Sequence, residues 1–310
     1  MNRVSASLVP RSNFFMTSIR IGIIGRQGKP SIQDSLDRIY NYLVSEAVEI
    51  RVERDTADLM SQNQITTVTR DELTTCTYLV VVGGDGSILG VARDFAANKI
   101  PIIGVNRGGL GFLADVSPDD IEQGMANVLQ GEYRQEEHFL LNLTVIRDGE
   151  VIAESPALND VVVSSGSLSK MMDFSLYIDD QFVYSQYSDG LIVATPTGST
   201  AYSLSAGGPI LHPSLDAVAI VPMFPHTLTS RPIMVQGSSK IKVVPGVVTT
   251  NPQVSADSQV QFDILPGDEV TIKKYKDVIH LIHPTTHSFY EACRSKLDWG
   301  SRLGRTTRTE

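Results

Sequence analysis

The sequence has little cysteine, no excess of positive charge and no long apolar run. Among 310 residues there are two cysteines, Cys76 and Cys293, without a metal-ligand spacing or a CxxC pair, which predicts reduced thiols in a cytoplasmic protein. A net charge of −9 argues against an extended surface for nucleic acid or for an anionic membrane. No apolar run approaches the roughly 20 residues that span a bilayer. A small molecule is therefore the expected partner.

Several signatures of nucleotide and hydrolase chemistry are also missing. The sequence contains no GxxxxGK[ST] loop, no protein-kinase signature set and no GxSxG elbow. The first predicted strand is not followed by a dinucleotide fingerprint with a downstream ribose-binding acid, which argues against hydride transfer. Any nucleotide chemistry must therefore use other glycine-rich turns.

The order of apolar patterns predicts two domains and two terminal segments. Strand and helix patterns alternate over residues 18–135, which predicts an α/β domain with a parallel sheet flanked by helices. Alternating strands over residues 136–288 predict a β-rich domain with an antiparallel sheet or sandwich. We expect residues 1–17 to form a mobile arm. We also expect residues 289–310 to pack a helix, 289–297, back on the first domain and then to fray.

The most informative stretch is the turn Gly83-Gly84-Asp85-Gly86, which follows a β-branched run and precedes a helical pattern. Bare amides at such a turn and the positive end of the next helix favour phosphate oxygens. The charge of Asp85 opposes phosphate binding, but a carboxylate there suits the deprotonation of an attacking hydroxyl. The alternative is that Asp85 simply caps the helix.

Two further stretches suit a nucleotide. A second glycine-rich loop, residues 106–113, follows the strand pattern of residues 100–105, so both loops could face one crevice, although a plain connection explains it equally well. In residues 188–203, hydroxyls cluster where Ser199 or Thr200 could cap a helix beginning near Ala201, with Tyr202 offering a ring; the alternative is only a well-capped helix.

Two smaller patterns are weaker. Asn159 and Asp160 stand at the start of an apolar strand, where they could reach sugar hydroxyls or form only an Asx turn. The spacing of His280, His283 and His287 fits neither one strand face nor a helical pair, so the sequence predicts no metal site. Phosphoryl transfer is the reaction that would use the acidic glycine loop, the hydroxyl cluster and the Asn-Asp pair together.

With these motifs combined, the chain resembles the bacterial NAD kinases over residues 19–299. The resemblance rests on the turn at Asp85, residues 106–113, Asn159-Asp160, residues 188–190, residues 195–209 and Asp257-Ser258-Gln259. It implies the two predicted domains and transfer of a phosphoryl group from ATP, or from polyphosphate, to the 2′-hydroxyl of the adenosine ribose of NAD. It further implies Mg²⁺ carried with ATP, no residue that binds metal by itself, and a homodimer or homotetramer in which a neighbouring subunit completes the site.

The resemblance also implies roles for individual residues. Asp85 would activate the hydroxyl, and the amides of Gly83, Gly84 and Gly86 would receive donor phosphates. The implied NAD contacts are Asn159 and Asp160 on hydroxyls, Phe112, Thr200, Ala201 and Tyr202 around adenine, Asp189 at the nicotinamide end, Lys170 on the phosphates, and Tyr187, Ser203, Ser205 and Gln259.

Three of these positions depart from close relatives: Asp160 replaces a glutamate, Lys170 a histidine or arginine, and Tyr187 an arginine associated with preference for NAD over NADH. The redox preference is therefore open. A kinase for a lipid or sugar hydroxyl, and a silent dinucleotide-binding regulator, remain as alternative functions.

Overall fold

The computed structural model describes residues 19–26, 32–62, 65–106, 111–166, 170–246 and 251–299. The predicted arm, residues 1–17, and the predicted frayed end lie outside these ranges, as do residues 107–110 of the second glycine-rich loop. The helices are α1 (Gln33–Ser45), α2 (Arg54–Ala57), α3 (Asp85–Asp94), α4 (Ile121–Gln130), α5 (Tyr202–Ser205) and α6 (Phe289–Leu297), and short 3₁₀ helices cover Asp71–Thr75, Pro118–Asp120 and Thr197–Thr200. The strands are β1 (Arg20–Gly25), β2 (Glu49–Glu53), β3 (Thr67–Val68), β4 (Tyr78–Val82), β5 (Ile102–Val105), β6 (Arg134–Arg147), β7 (Glu150–Ala157), β8 (Asp160–Ser164), β9 (Met172–Ile178), β10 (Gln181–Ser188), β11 (Gly190–Ala194), β12 (Ala217–Met223), β13 (Ile233–Gln236), β14 (Ile241–Pro245), β15 (Gln253–Ala256), β16 (Val260–Asp263) and β17 (Glu269–His283).

The N-terminal half is built on parallel strands in the order β5-β4-β1-β2-β3. Apolar runs such as Leu79–Val82 are fully buried, as expected for parallel strands covered on both faces. Helix α1 buries Leu36, Ile39 and Leu43, which recur at helical spacing, and its Arg38 forms a bidentate pair with Glu122 of α4. This packing fixes the layer beneath the carboxyl ends of β4 and β5.

Strand β17 joins the two halves of the protein. Near its start, Val270 and Ile272 pair antiparallel with β14 and β6, whereas Leu281 and Ile282 near its end pair parallel with β5. Eleven of the described strands therefore form one mixed sheet. The continuity matters because β17 delivers the segment before α6 to the same edge as the loops after β4 and β5.

A second sheet of six antiparallel strands, in the order β13-β12-β11-β8-β15-β16, packs on the C-terminal half of the mixed sheet. Alternate residues of both sheets meet in one core, for example Leu143 and Phe174 from the first and Val163 and Leu191 from the second. The predicted fold class, a parallel α/β layer followed by an antiparallel sandwich, is confirmed. The boundary at residues 135–136 stays a prediction, since one sheet crosses it.

Helix α6 covers the residues that the sequence indicated, and its Ser288 caps it by accepting from the backbone N–H of Glu291. Its first residue, Phe289, meets the ring of Phe112 at 6.5 Å between centroids. Within the described ranges, no helix has the length and hydrophobicity needed to cross a membrane.

Candidate active site

Asp85 stands at the first residue of α3 and reaches across to the loop that follows β5. Its Oδ2 accepts from the backbone N–H of Phe112 at 3.1 Å, and its Oδ1 accepts from those of Leu113 and Ala114 at 3.2 Å each. The residue that caps α3 is Gly84, so the interpretation of Asp85 as a helix cap is wrong. The carboxylate instead joins the turn at Gly83-Gly84-Asp85-Gly86 to residues 112–114, after the second glycine-rich loop.

The glycines around Asp85 are required by close approach. A Cβ on Gly111 would lie 2.3 Å from Asp85 Oδ1, and one on Gly83 would lie 2.2 Å from Ser87 Oγ. A Cβ on Gly84, by contrast, would meet no atom of the described residues within 4 Å, which leaves its backbone open to a ligand. The turn thus packs on one side and is bare on the other.

Lys296, near the end of α6, is a site residue that the sequence did not reveal. Its Nζ lies 3.7 Å from Asp85 Oδ2 and 5.1 Å from the centre of the Phe112 ring. Both Asp85 and Lys296 keep about a third of their side-chain surface exposed, at 31% and 29%. Helix α6 therefore brings a cation next to the carboxylate from the far end of the chain.

Asn159 and Asp160 are held by Asp257, whose side chain is completely buried. Asp257 accepts from the backbone N–H groups of Leu158, Asn159 and Asp160, at 3.1, 2.7 and 3.3 Å. It also forms a 2.8 Å ion pair with Arg93 of α3. The predicted NAD-binding pair is thereby tied to the helix that begins at Asp85.

Asp160 itself is 2% exposed, and its Oδ1 has no hydrogen-bond partner among the described residues. Burial, and then the charge of Asp257, raise the pKa of Asp160 to about 7. A group that exchanges its proton near neutral pH and retains a free acceptor atom suits contact with a ligand hydroxyl.

Gln259 links the same elements a second time. Its Nε2 donates to the carbonyl of Gly86 at 2.8 Å, and its Oε1 accepts from Arg93 at 2.5 Å. The predicted NAD contact therefore bonds to α3 through both ends of its amide. The sequence analysis did not identify Arg93 as a site residue. Arg93 shares one face of α3 with Gly86 and Gly90, and Gln259 approaches the helix at these two glycines.

The turn after β11 differs from its prediction. A 3₁₀ helix covers Thr197–Thr200, and the single turn of α5 follows Ala201 without a side-chain cap. The expected capping by Ser199 or Thr200 is wrong, because Ser199 Oγ donates to the Pro196 carbonyl at 2.6 Å and Thr200 Oγ1 donates to that of Thr197 at 3.2 Å. These hydroxyls stabilise the turn itself.

This turn lies against the Asn159 segment. The backbone N–H of Thr195 donates to the Asn159 carbonyl at 2.9 Å, and its Oγ1 donates to that of Leu158 at 2.6 Å. A Cβ on Gly198 would lie 2.0 Å from the Asn159 carbonyl oxygen. The turn therefore brings Thr200, Ala201 and Tyr202 close to Asn159 and Asp160. Within α5, Ser203 is buried, whereas Ser205 and the ring of Tyr202 are exposed.

The remaining predicted residues lie around the ends of β10 and β11. Tyr187 is 48% exposed and meets His226 edge to face at 6.4 Å. Asp189 joins the two strands, and its backbone N–H donates to the carbonyl of Met223 at 3.1 Å. Lys170 is exposed just before β9. None of these three contacts Asp85 through a hydrogen bond or ion pair within the described part of the chain.

Comparison with known proteins decides the family. A model described as "ATP-NAD kinase N-terminal domain" matches residues 21–133, and one described as "ATP-NAD kinase C-terminal domain" matches residues 158–283. A protein of Ectopseudomonas mendocina named NAD kinase is 51% identical over 92% of this chain and 97% of its own length. The chain belongs to the NAD kinase family. An NAD kinase of Marinobacter nauticus is 52% identical over 91% of this chain and 97% of its own length.

Solved structures of NAD kinases agree with this placement. A yeast NADH kinase complexed with NADH has a TM-score of 0.86 at 25% identity and covers 93% of this chain and 90% of its own. An NAD kinase from Archaeoglobus fulgidus in complex with ATP has a TM-score of 0.70 at 26% identity, with 89% and 99% covered. The family, the fold class and the enzyme class predicted from the sequence are confirmed. The roles of individual site residues stay predictions.

Proposed function

We propose that this chain transfers the terminal phosphoryl group of ATP to the 2′-hydroxyl of the adenosine ribose of NAD, which yields NADP. The names of relatives about half identical in sequence support the reaction, and the ATP and NADH complexes of two structural neighbours support the substrate classes. The observation that carries the mechanism is the anchoring of Asp85 by three backbone amides at the start of α3.

Asp85 is the general base in this proposal. A ribose hydroxyl is a weak nucleophile at neutral pH, so a carboxylate within hydrogen-bonding distance contributes about 10²- to 10⁴-fold. The three N–H donors fix the orientation of the carboxylate, and its exposed fraction leaves lone pairs for the hydroxyl proton. Such preorganisation costs nothing at the moment of reaction.

The donor phosphates would lie at Gly83, Gly84 and Gly86, where the turn is bare on one side and the α3 N-terminus points at them. Lys296 would add positive charge beside the transferred group. The residues at this turn fit Mg²⁺ only in part, because among the contacts described above Asp85 supplies the single carboxylate there. We therefore assign the ion chiefly to the ATP phosphates and water, where it would neutralise developing charge.

NAD would lie between Asn159 and the turn after β11. The free, buried Oδ1 of Asp160 supports contact with a ribose hydroxyl, and Phe112 with residues 200–202 supports the adenine pocket. Asp189 would serve the nicotinamide end and Lys170 the phosphates, with a neighbouring subunit of a homodimer or homotetramer completing the site. The oligomeric state and the cytoplasmic location stay predictions.

The test is NADP formation from NAD with Mg²⁺ and ATP, comparing the wild type with Asp85→Asn. We expect turnover to fall by about 10²- to 10⁴-fold while NAD binding is retained. Asp94→Asn, at the other end of α3, is the matched control and should keep its turnover. Equal turnover in wild type and Asp85→Asn would refute the base, and no product with either ATP or polyphosphate would favour the silent regulator.

The same assay with NADH tests the redox preference. Tyr187 replaces an arginine associated with NAD preference, so we propose measurable phosphorylation of NADH. Initial rates at equal concentrations of NAD and NADH, with no NADH activity, would refute it. Phosphorylation of a lipid or sugar hydroxyl with indifference to NAD would instead favour the alternative acceptor.

A further inference from the structure

A cluster of three histidines and two carboxylates lies where β6 begins and β17 ends. Glu136 and His138 lie on β6, and His283 is the last residue of β17. His287 follows four residues later, and Asp115 belongs to the loop after β5. The side chains of all five are at most 16% exposed. The kinase mechanism proposed above uses none of them.

Each histidine uses one ring nitrogen to bond to the protein. His283 Nδ1 and His287 Nδ1 lie 3.0 and 2.6 Å from the same oxygen, Asp115 Oδ2, and the two rings are stacked at 4.1 Å. His138 Nδ1 lies 2.8 Å from Thr197 Oγ1. Because a carboxylate accepts hydrogen bonds, the neutral imidazoles of His283 and His287 carry their proton on Nδ1, which leaves a lone pair on each Nε2.

Two of the other ring nitrogens lie near Glu136. His138 Nε2 lies 3.9 Å from Glu136 Oε2, and His287 Nε2 lies 3.9 Å from Glu136 Oε1. One ligand atom each of Glu136, His138 and His283 lies within 4.8 Å of the other two. The side chains of Glu136, His138 and His283 share a face of the β6–β17 pair because their positions differ by even steps in register.

Two of these nitrogens are buried without a partner. His138 is 4% exposed and His283 is 1% exposed, yet neither Nε2 has a hydrogen-bond partner among the described residues. Buried polar atoms are nearly always hydrogen-bonded, so two unpaired ring nitrogens in one buried cluster indicate a shared partner.

We propose that Nε2 of His138, Nε2 of His283 and Oε2 of Glu136 bind a transition-metal ion of the zinc class. Imidazole and carboxylate are ordinary ligands of this class, and bonds of about 2.0–2.2 Å place tetrahedral ligands about 3.4 Å apart. The 3.9 Å between His138 Nε2 and Glu136 Oε2 would close by about half an ångström around the ion. His283 lies within 4.8 Å of both groups and would move by up to about 1.4 Å. Arg134, at 3.3 Å from Glu136 Oε1, leaves Oε2 available to the metal.

The hydrogen bonds at Nδ1 are those expected behind metal-bound histidines. Asp115 would orient His283, and Thr197 would orient His138. Three protein ligands leave the fourth tetrahedral position to a water molecule. The ion would fasten β6 to β17, and through Asp115 and Thr197 it would hold the loop that contacts Asp85 and the turn that contacts Asn159.

The experiment measures metal binding by the full-length chain without an affinity tag, because histidine tags bind the same ions. Metal content is determined by inductively coupled plasma mass spectrometry, and Zn²⁺ and Co²⁺ are then titrated into chelator-treated protein against a chromophoric competitor. We expect one equivalent per chain and the intense visible absorption of tetrahedral Co²⁺. Glu136→Gln and His283→Gln should weaken Zn²⁺ binding at least tenfold, since even loss of an outer partner costs about 10- to 100-fold.

Matched controls stand on the same strands. Glu137→Gln and His280→Gln change the neighbouring residues, whose side chains point to the opposite face, and should leave Zn²⁺ binding unchanged. If His283→Gln fails to fold, as judged by circular dichroism, Zn²⁺ binding by Glu136→Gln provides the test, because Glu136 is partly exposed. No saturable Zn²⁺ binding by the wild type, or equal binding by Glu136→Gln, would overturn the site. Neither readout depends on kinase activity.

Discussion

The buried carboxyl of Asp160 makes a defined contribution to how stability changes with pH. Burial and the neighbouring charge of Asp257 raise its pKa from 3.8 to about 7 in the folded protein. The folded state therefore holds this proton over a range in which the unfolded chain has released it. The stabilisation that the proton on Asp160 provides is complete below the pKa of the unfolded chain. It is lost as the pH rises through the pKa of the folded protein.

The magnitude follows from the shift. At 1.36 kcal/mol per pKa unit, the whole effect is about 4 kcal/mol between acidic and alkaline limits. About 2.5 kcal/mol of it falls between pH 5 and pH 8, where the folded group titrates. Asp160→Asn keeps the shape of the side chain and removes the titration, so the difference between variant and wild type isolates this one carboxyl.

The assay is thermal unfolding of both proteins, without substrates, at intervals from pH 5 to pH 8. For a chain of this length one kcal/mol corresponds to about 1.5 °C, so the melting temperature of Asp160→Asn should rise by about 4 °C relative to wild type across this range. Asp148→Asn, which changes an exposed carboxylate in a turn, is the control and should follow the wild type. A constant difference between Asp160→Asn and wild type at every pH would refute the reasoning.

Two further substitutions test the network around Asp85. Arg93→Met leaves the buried Asp257 without its cation and should lower the free energy of unfolding by about 3–5 kcal/mol in urea denaturation, whereas Arg51→Met at a surface pair should cost under about 1 kcal/mol. Gly111→Ala places a Cβ 2.3 Å from Asp85 Oδ1, so we expect kcat to fall about 10²-fold with little change in NAD affinity. Gly90→Ala meets only ordinary contacts and should leave kcat unchanged; equal kcat in both alanine variants would contradict the role given to Gly111.

The sequence predicted elements best where one physical cause dominates. The buried run before Gly83 and the apolar spacing of α1 were readable because burial imposes a period on the chain. The turn at Gly83-Gly84-Asp85-Gly86 was predictable because it combines glycines with a carboxylate whose charge opposes phosphate binding. The helix near Ala201 was predicted correctly, but its cap was not, because Ser199 and Thr200 bond within their own 3₁₀ turn.

The sequence by itself thus determined the family and the two architectures, and it predicted the residue types of the site. Only the tertiary structure decided which distant groups meet: Lys296 beside Asp85, Arg93 beneath Asp257, and His138 opposite His283. Each pair is separated by more than a hundred residues, and no local spacing encodes it. The pairings of Lys296 and His283 arise because β17 runs from the antiparallel half of the mixed sheet to its parallel half and returns the C-terminal segment to the loops after β4 and β5.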